Sequence, residues 1–424
     1  MIPDALFLPD SDDRPELSGA EEVVFAPDNR FAVHFTRTGA DAVAGGDADG
    51  DGVPDAVTRT LGALAGALAT WTADGWRDVP TDRQRGPALD VYVRALDING
   101  YAHAVPPLDP ADPSACWMEL DNQLADLPGK VVESVSVHEL HHCVEFTYST
   151  DVDGWLLEAT ATEEQYEAVL DDPLSLALGV LYGERLGHPE RPIDATDGRF
   201  EYAGFLVVKF GRDRTAGPHF SRTLWETLAD EPDWRSAFAT VADDRLGVDA
   251  DRWFLENAVW NSFACAADDG AHYDAAHLPC VVATQPPSTP IEDRFEISFE
   301  SGPYASFTGV FDAAGDASGA VVTCTPVDGA LAAFGVVAVD ASGRGGAFAA
   351  ADAGVASLEG PIDAAGTLRV VAVSSGPATA TCAITRPEPA RGCATATAGA
   401  PALAWLLAGL LRRRQSTATP CASM

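Results

Sequence analysis

The sequence is poor in basic residues: 27 lysines and arginines stand against 64 aspartates and glutamates in 424 residues, a formal charge of −37. No polybasic run occurs before Arg412, so the attraction that nucleic-acid binding requires is missing and we expect no nucleic-acid partner. The hydrophobic content of 46% is nevertheless enough for sizeable cores. We therefore expect a soluble monomer of two folded units that attracts divalent cations.

The sequence also lacks the Cys-x-x-Cys spacing of zinc and redox sites, although it has eight cysteines. Disulfides are the simpler interpretation and imply an oxidising compartment. The contexts of the cysteines suggest three pairs, although sequence alone does not fix the pairing. They are Cys265 with Cys280, Cys324 with Cys382, and Cys116 with Cys143.

A signal peptide is missing as well, because MIPDALFLPDSDD has neither a basic start nor an apolar core. Near the C-terminus, the apolar run ATATAGAPALAWLLAGLL is followed by three arginines. This pattern predicts a membrane anchor, and a buried amphipathic helix is the alternative. Residues 391–424 also resemble the MYXO-CTERM sorting signal of myxobacterial surface proteins. They predict membrane attachment and an extracellular or cell-surface location, which requires an export signal upstream of Met1.

Changes in composition predict four segments. Residues 1–28 are rich in Asp, Pro and Glu without a regular period, which is typical of a mobile leader or propeptide remnant. Residues 29–287 mix strand and helix patterns and predict an α+β domain whose first strand is FAVHFTRTG. Residues 288–390 follow a Pro-rich hinge and predict a β-sandwich, because short Val, Ala, Phe and Thr runs alternate with Gly and Asp turns. Residues 391–424 form the anchor segment.

Three of the nine histidines fall within SVHELHHCVEF, residues 136–146. His138 and His142 are four residues apart, so in a helix both side chains project from one face and can bind one metal ion. Glu139 lies one position round the helix, where it can act on a water molecule at that ion. Apolar neighbours predict a partly buried helix, in which unpaired polar groups would be costly. We therefore expect a zinc ion instead of a solvated polar face.

A catalytic zinc ion needs a third protein ligand. Glu158 is the best candidate, because apolar neighbours surround it on a second helix that we expect to begin after Asp153 as its N-cap. The rivals on the same helix belong to a charge run that is usually a solvated face: Glu163, Glu164 and Glu167. Three histidines in polar, loop-like contexts are poorer candidates: His188, His219 and His272.

HELHH followed by WLLEATATEE resembles the gluzincin metallopeptidases, and residues 30–280 are similar to a group of secreted myxobacterial metalloproteases. The resemblance implies a zincin-like fold with a mixed sheet and an active-site helix. It also implies that zinc is bound by His138, His142 and Glu158. Glu139 would then be the general base and Tyr202 a second donor to the oxyanion, although a core or interface tyrosine is the alternative.

The sequence departs from this pattern in two places. The gap to the third ligand is a few residues short, and Thr162 stands where an acidic residue is common. The orientation of His138 is therefore open, with Glu163 as a candidate substitute, because carboxylates beside ligands fix their tautomers. We also expect the strand ACWMEL to be a sheet edge that pairs with an extended substrate.

The segment GGDADGDGVPD places carboxylates at alternating positions around a glycine, as calcium-binding loops do. The four candidate ligands are Asp47, Asp49, Asp51 and Asp55. The segment resembles the loops of thrombospondin type 3 and dockerin repeats, although Thr58 stands where an EF-hand has glutamate. A flexible acidic turn without a cation is the alternative. We expect a structural calcium ion that fixes the start of the following helix.

Together these patterns predict a secreted, surface-anchored zinc endopeptidase that acts on proteins or peptides. The alternative from another class is a calcium-stabilised surface binding or adhesion protein with a silent peptidase-like fold. Glu139 favours the enzyme, because a binding protein needs no general base. Hydrolysis of a glycan or a lipid ester is a third interpretation, since HExxH specifies a metal–water centre and not its substrate.

Overall fold

The computed structural model describes residues 14–81, 86–107, 112–172, 182–215, 219–273, 278, 289–299, 302–312, 320–340, 342–351, 354–357 and 367–385. The predicted anchor at 391–424 and Cys280 lie outside these residues, so the anchor and the Cys265–Cys280 pair stay predictions. None of the helices within the described ranges combines the length and the apolar composition that crossing a bilayer requires.

The strands are β1 Glu21–Phe25, β2 Phe31–Thr36, β3 Leu89–Arg94, β4 Gly100–Val105, β5 Ala115–Asp121, β6 Thr289–Pro290, β7 Arg294–Phe299, β8 Ala305–Asp312, β9 Val321–Val339, β10 Gly345–Ala351, β11 Gly354–Ser357 and β12 Thr367–Thr385. The α-helices are α1 Asp55–Ala73, α2 Val131–Glu145, α3 Gly154–Ala168, α4 Tyr182–Gly187, α5 Phe200–Ala203, α6 Phe205–Thr215, α7 His219–Leu228, α8 Trp234–Leu246 and α9 Ala250–Asn261. A mixed α/β part thus precedes a β-rich part, as the sequence predicts.

Five strands form the first sheet, in the order β1-β2-β3-β5-β4. β2, β3 and β5 run parallel to one another, whereas β1 and β4 pair antiparallel at the two edges. The helix α1 follows β2 and connects it to the parallel neighbour β3, as a parallel pair requires a crossover. The core between this sheet and the helices includes Val57, Leu64, Val91, Met118 and Leu140.

Two sequence predictions need correction in this sheet. EEVVF lies inside the segment predicted to be a mobile leader but forms β1. Most of its side chains are exposed, so the sequence lacks the alternation of apolar and polar residues by which a half-buried strand is recognised. ACWMEL forms β5, which is an interior strand because Glu119 lies between Tyr92 of β3 and Tyr101 of β4. The edge strand on this side is therefore β4 and not β5.

The second sheet contains all seven strands from β6 to β12. β9 and β12 are each 19 residues long and pair with different neighbours along their length. The predicted β-rich character is confirmed, whereas the described strands form one hydrogen-bonded network and not two separate sheets. The disulfide Cys324–Cys382 joins β9 to β12, as predicted.

The β-rich part packs against the helical part through α9. Leu255 and Val259 of α9 share an apolar cluster with Val337 of β9 and Val371 of β12. The buried guanidinium of Arg185 also donates a hydrogen bond to the backbone carbonyl of Tyr304, at 2.9 Å. The contact between the two parts is thus both apolar and hydrogen-bonded.

Candidate metal centre

The helix α2 is buried on all sides. His138 and Glu139 are 7% and 6% exposed, and His141 is fully buried. The disulfide Cys116–Cys143, predicted from the sequence, ties this helix to β5. Because water reaches so little of α2, each of its polar side chains needs a partner within the protein.

Three ligand atoms converge at this helix. His138 Nε2 lies 3.2 Å from His142 Nε2 and 3.1 Å from Glu158 Oε2, and His142 Nε2 lies 3.8 Å from Glu158 Oε2. Ligands about 2.0–2.1 Å from a tetrahedral zinc ion lie about 3.3 Å from one another, which matches this spacing. The buried group of His138, His142 and Glu158 could therefore hold a metal ion, and it joins the three residues predicted as ligands.

The rival carboxylates of α3 have other partners. Glu163 accepts a hydrogen bond from Arg212 at 2.8 Å, and Glu164 accepts one from Trp71 Nε1 at 2.7 Å. Glu167 lies 3.7 Å from the ammonium group of Lys209. Glu163 consequently faces Arg212 and not His138, so the suggestion that it orients His138 is wrong.

Two of the three poorer candidates lie near carboxylates elsewhere. The exposed His188 is 3.1 Å from Glu190, and His272 is 2.9 Å from Asp269. His219 is the first residue of α7. Neither His188 nor His272 belongs to the metal-binding groups found among the described residues, and the side chain of His219 lies outside them.

Glu139 borders the three donors and lies under the edge strand β4. A Cβ atom at Gly100 would come 2.8 Å from Glu139 Oε1, so helix and strand are in close contact. Burial raises the pKa of Glu139 to about 8, although His138 opposes this shift. A cation between the three donors would favour the carboxylate form, which is the form a general base requires.

The two histidines at the site have different electrostatic surroundings. Burial lowers the pKa of His138, but the hydrogen bond and charge of Glu158 outweigh it and raise that pKa to about 9. Burial lowers the pKa of His142 to about 3, which keeps its imidazole neutral. A neutral imidazole has the lone pair that a metal ion needs.

Tyr202 of α5 lies at the same site. Its ring stacks on that of His138 with 5.9 Å between the centroids, and its hydroxyl is hydrogen-bonded to Glu158. Burial and the charges of Glu158 and Glu139 raise the pKa of Tyr202, so the hydroxyl keeps its proton at neutral pH. The side chain is half-buried and can act as a hydrogen-bond donor beside the metal donors.

Sequence reasoning missed Glu145, which is fully buried at the end of α2. Its Oε2 lies 2.8 Å from His142 Nδ1, and its Oε1 lies 2.9 Å from His141 Nδ1. The spacings of three and four residues could have revealed this contact, because such positions are neighbours on a helix. His141 is thus a partner of Glu145 and not merely the residue between the two ligands.

The acidic loop before α1 brings together three of its four predicted ligands. Oxygen atoms of Asp47, Asp49 and Asp55 lie within 4.8 Å of one another at the surface. Asp51 is not in this group; its carboxylate accepts a hydrogen bond from the amide of Val53 at 2.7 Å. Asp47 accepts bonds from three backbone amides, which shapes the turn without a cation.

No family model and no curated protein sequence matches this chain.

Proposed function

We propose that the protein is a zinc-dependent endopeptidase of the gluzincin type, secreted or anchored at the cell surface. One observation carries the proposal: His138, His142 and Glu158 point one ligand atom each to a common buried position, with Glu139 beside them. This arrangement fits a zincin-like fold for residues 29–287.

The donor set favours zinc among the common metal ions. Two imidazoles and one carboxylate are a known ligand set of catalytic zinc sites that leave the fourth position open. Calcium and magnesium prefer ligand sets made of oxygen alone. When bound, zinc supplies a Lewis acid that polarises a carbonyl group and acidifies water.

The residues of the chain supply the remaining chemistry. Glu139 accepts the proton of the attacking water molecule and delivers it to the departing amine. The hydroxyl of Tyr202 donates a hydrogen bond to the oxyanion that develops on the carbonyl oxygen. His138 and Glu158 both contact Tyr202, so the same residues that bind the metal also place this donor.

The edge strand β4 suits an extended peptide substrate. Among the described strands it pairs with β5 alone, so a peptide that pairs with β4 would add a strand at the other side of β4. Gly100 brings this strand against Glu139, so a peptide paired with β4 would pass the general base. This geometry supports a peptide substrate over a glycan or a lipid ester.

The remaining parts of the proposal concern location and calcium. The disulfides Cys116–Cys143 and Cys324–Cys382 favour an oxidising compartment, in keeping with secretion. The anchor at 391–424 would hold the enzyme at the membrane. The grouping of Asp47, Asp49 and Asp55 is compatible with a structural calcium ion before α1.

The test is cleavage of an unfolded protein such as casein by the purified chain, beside Glu139→Gln with the same zinc content. The proposal expects the wild type to cleave and the variant to lose at least about a hundredfold in rate. Zinc binding without cleavage in both proteins would instead favour the silent binding protein.

A further inference from the structure

Both oxygen atoms of the Glu145 carboxylate are engaged by histidines of its own helix. The His142 contact is 2.8 Å and the His141 contact is 2.9 Å, and all three side chains are nearly or fully buried. A carboxylate can accept from two N–H groups, so it can hold the Nδ1 proton on both imidazoles. This places the lone pair of His142 on Nε2, the atom that faces His138 and Glu158.

The carboxylate is itself fixed by residues outside α2. The hydroxyl of Thr160, on α3, is hydrogen-bonded to Glu145 Oε1, and Trp225 Nε1 donates to that hydroxyl at 3.2 Å. The ring of His141 packs edge-on against Trp71 and Trp76, each with 5.0 Å between centroids. These contacts leave the Glu145 side chain little freedom to turn away from His142.

We propose that Glu145 is a positioning residue that sets the tautomer and the ring orientation of His142, and that His141 and Thr160 hold Glu145 in place. This inference rests on the proposed metal centre. In the gluzincin pattern the acidic residue at the position of Thr162 would orient His138, whereas the carboxylate of Glu145 contacts the other histidine, His142, from the same helix. The second histidine of HELHH thereby gains a role without binding the metal.

The test variant is Glu145→Gln, which keeps the size of the side chain. Glutamine replaces one of the two acceptor oxygens by an NH2 donor, so at least one of the two histidines loses the acceptor for its Nδ1–H. The control is Glu164→Gln, because Glu164 is also a buried carboxylate but bonds to Trp71. Zinc affinity is measured on the full chain by competition with a chromogenic chelator.

We expect Glu145→Gln to weaken zinc binding by about 10–100-fold, the usual effect of removing a carboxylate that orients a ligand. Glu164→Gln should stay within about threefold of the wild type. Thr160→Val is a milder change and should also weaken zinc binding. It therefore tests the proposal even if Glu145→Gln does not fold. Wild-type affinity in folded Glu145→Gln and Thr160→Val would overturn the proposal.

A second readout separates this inference from the proposed function. Histidine labelled with nitrogen-15 reports the tautomer of His142 in the metal-free protein, with the signal assigned by its loss in His142→Gln. The proposal expects Nδ1–H in the wild type and a mixture in Glu145→Gln. The same tautomer in wild type and Glu145→Gln would overturn the role of Glu145. The expected difference between the two proteins, together with a wild type that binds no zinc, would overturn the metal centre alone.

Discussion

Gly100 lies directly against the carboxylate of Glu139. A Cβ atom on Gly100 would approach Oε1 to 2.8 Å and Cγ to 2.9 Å, both closer than ordinary van der Waals contact. The edge strand β4 and the helix α2 are thus so close at this point that a hydrogen atom on Gly100 fits but a Cβ atom does not. Glycine is required here by the space and not by the backbone conformation, since Gly100 is not among the residues with positive φ.

If the proposed function is right, Gly100→Val should lower the rate of casein cleavage by about 10–100-fold, because it displaces Glu139, the proposed general base, from the reacting water. Zinc affinity should stay unchanged, since none of the three metal donors moves. Gly62→Ala is the matched control: a Cβ there meets no atom within 4 Å, and alanine in helix α1 should add about 0.5–1 kcal/mol of stability. Full activity of Gly100→Val would contradict the position assigned to Glu139.

The disulfide between β5 and α2 should stabilise the helix α2 against unfolding. Replacing Cys116 and Cys143 together by alanine opens a cross-link with a sequence separation of 27 residues. Chain entropy then predicts a loss of about 3.5 kcal/mol in the free energy of unfolding. Denaturant titration measures the loss, and an unchanged midpoint in the double variant would show that the bond adds nothing to the fold.

The edge strand β1 should be held more firmly at acidic than at alkaline pH. His34 lies 2.7 Å from Glu21 of β1 and 3.2 Å from Asp90 of β3. Burial lowers its pKa, but the hydrogen bonds and charges of these two carboxylates outweigh burial and raise the pKa. A raised pKa stabilises the fold below the unfolded value of about 6.5, and this contribution is lost as the pH rises through the folded value.

His34→Gln should therefore lower the free energy of unfolding more at about pH 6 than at about pH 9. Urea titrations of both proteins at the two pH values give the comparison. A cost that is equal at both pH values, or larger at alkaline pH, would contradict the ion pairs of His34.

The helical and β-rich parts should unfold together, since they share an apolar cluster. Leu255 of α9 is fully buried in the cluster that includes Val337 and Val371. Leu255→Ala should cost about 2–5 kcal/mol and shift the unfolding of both parts. Scanning calorimetry tests this expectation; a separate transition of the β-rich part that Leu255→Ala leaves in place would show that the two parts are independent.

The grouping of the three candidate metal ligands could be predicted from short spacings along the sequence. His138 and His142 share a helix face because four residues are about one turn, and Glu158 stands out by its apolar neighbours on the next helix. The pairing of Cys116 with Cys143 also agrees with the structure. Each of these predictions depends on patterns within one or two adjacent elements.

Contacts between elements that are distant in the sequence could not be predicted from such spacings. The order β3-β5-β4 depends on which strands pair, and the sequence does not show this, so it predicts an edge at β5 where the structure has it at β4. The closeness of Gly100 to Glu139 follows from that order. The role of Glu145 needed the positions of Thr160 and Trp225, which come from other helices. Nearly all residues of α2 are buried, so the sequence pattern of this helix does not show which of its polar side chains contact one another.

The most direct test of the central claim is casein cleavage measured against the zinc content of the chain. Dialysis against a zinc chelator should abolish cleavage, and about one equivalent of zinc should restore it in the wild type but not in Glu139→Gln. Restoration at about one zinc per chain would support a catalytic zinc ion held by His138, His142 and Glu158. Undiminished cleavage by the zinc-free protein would contradict it.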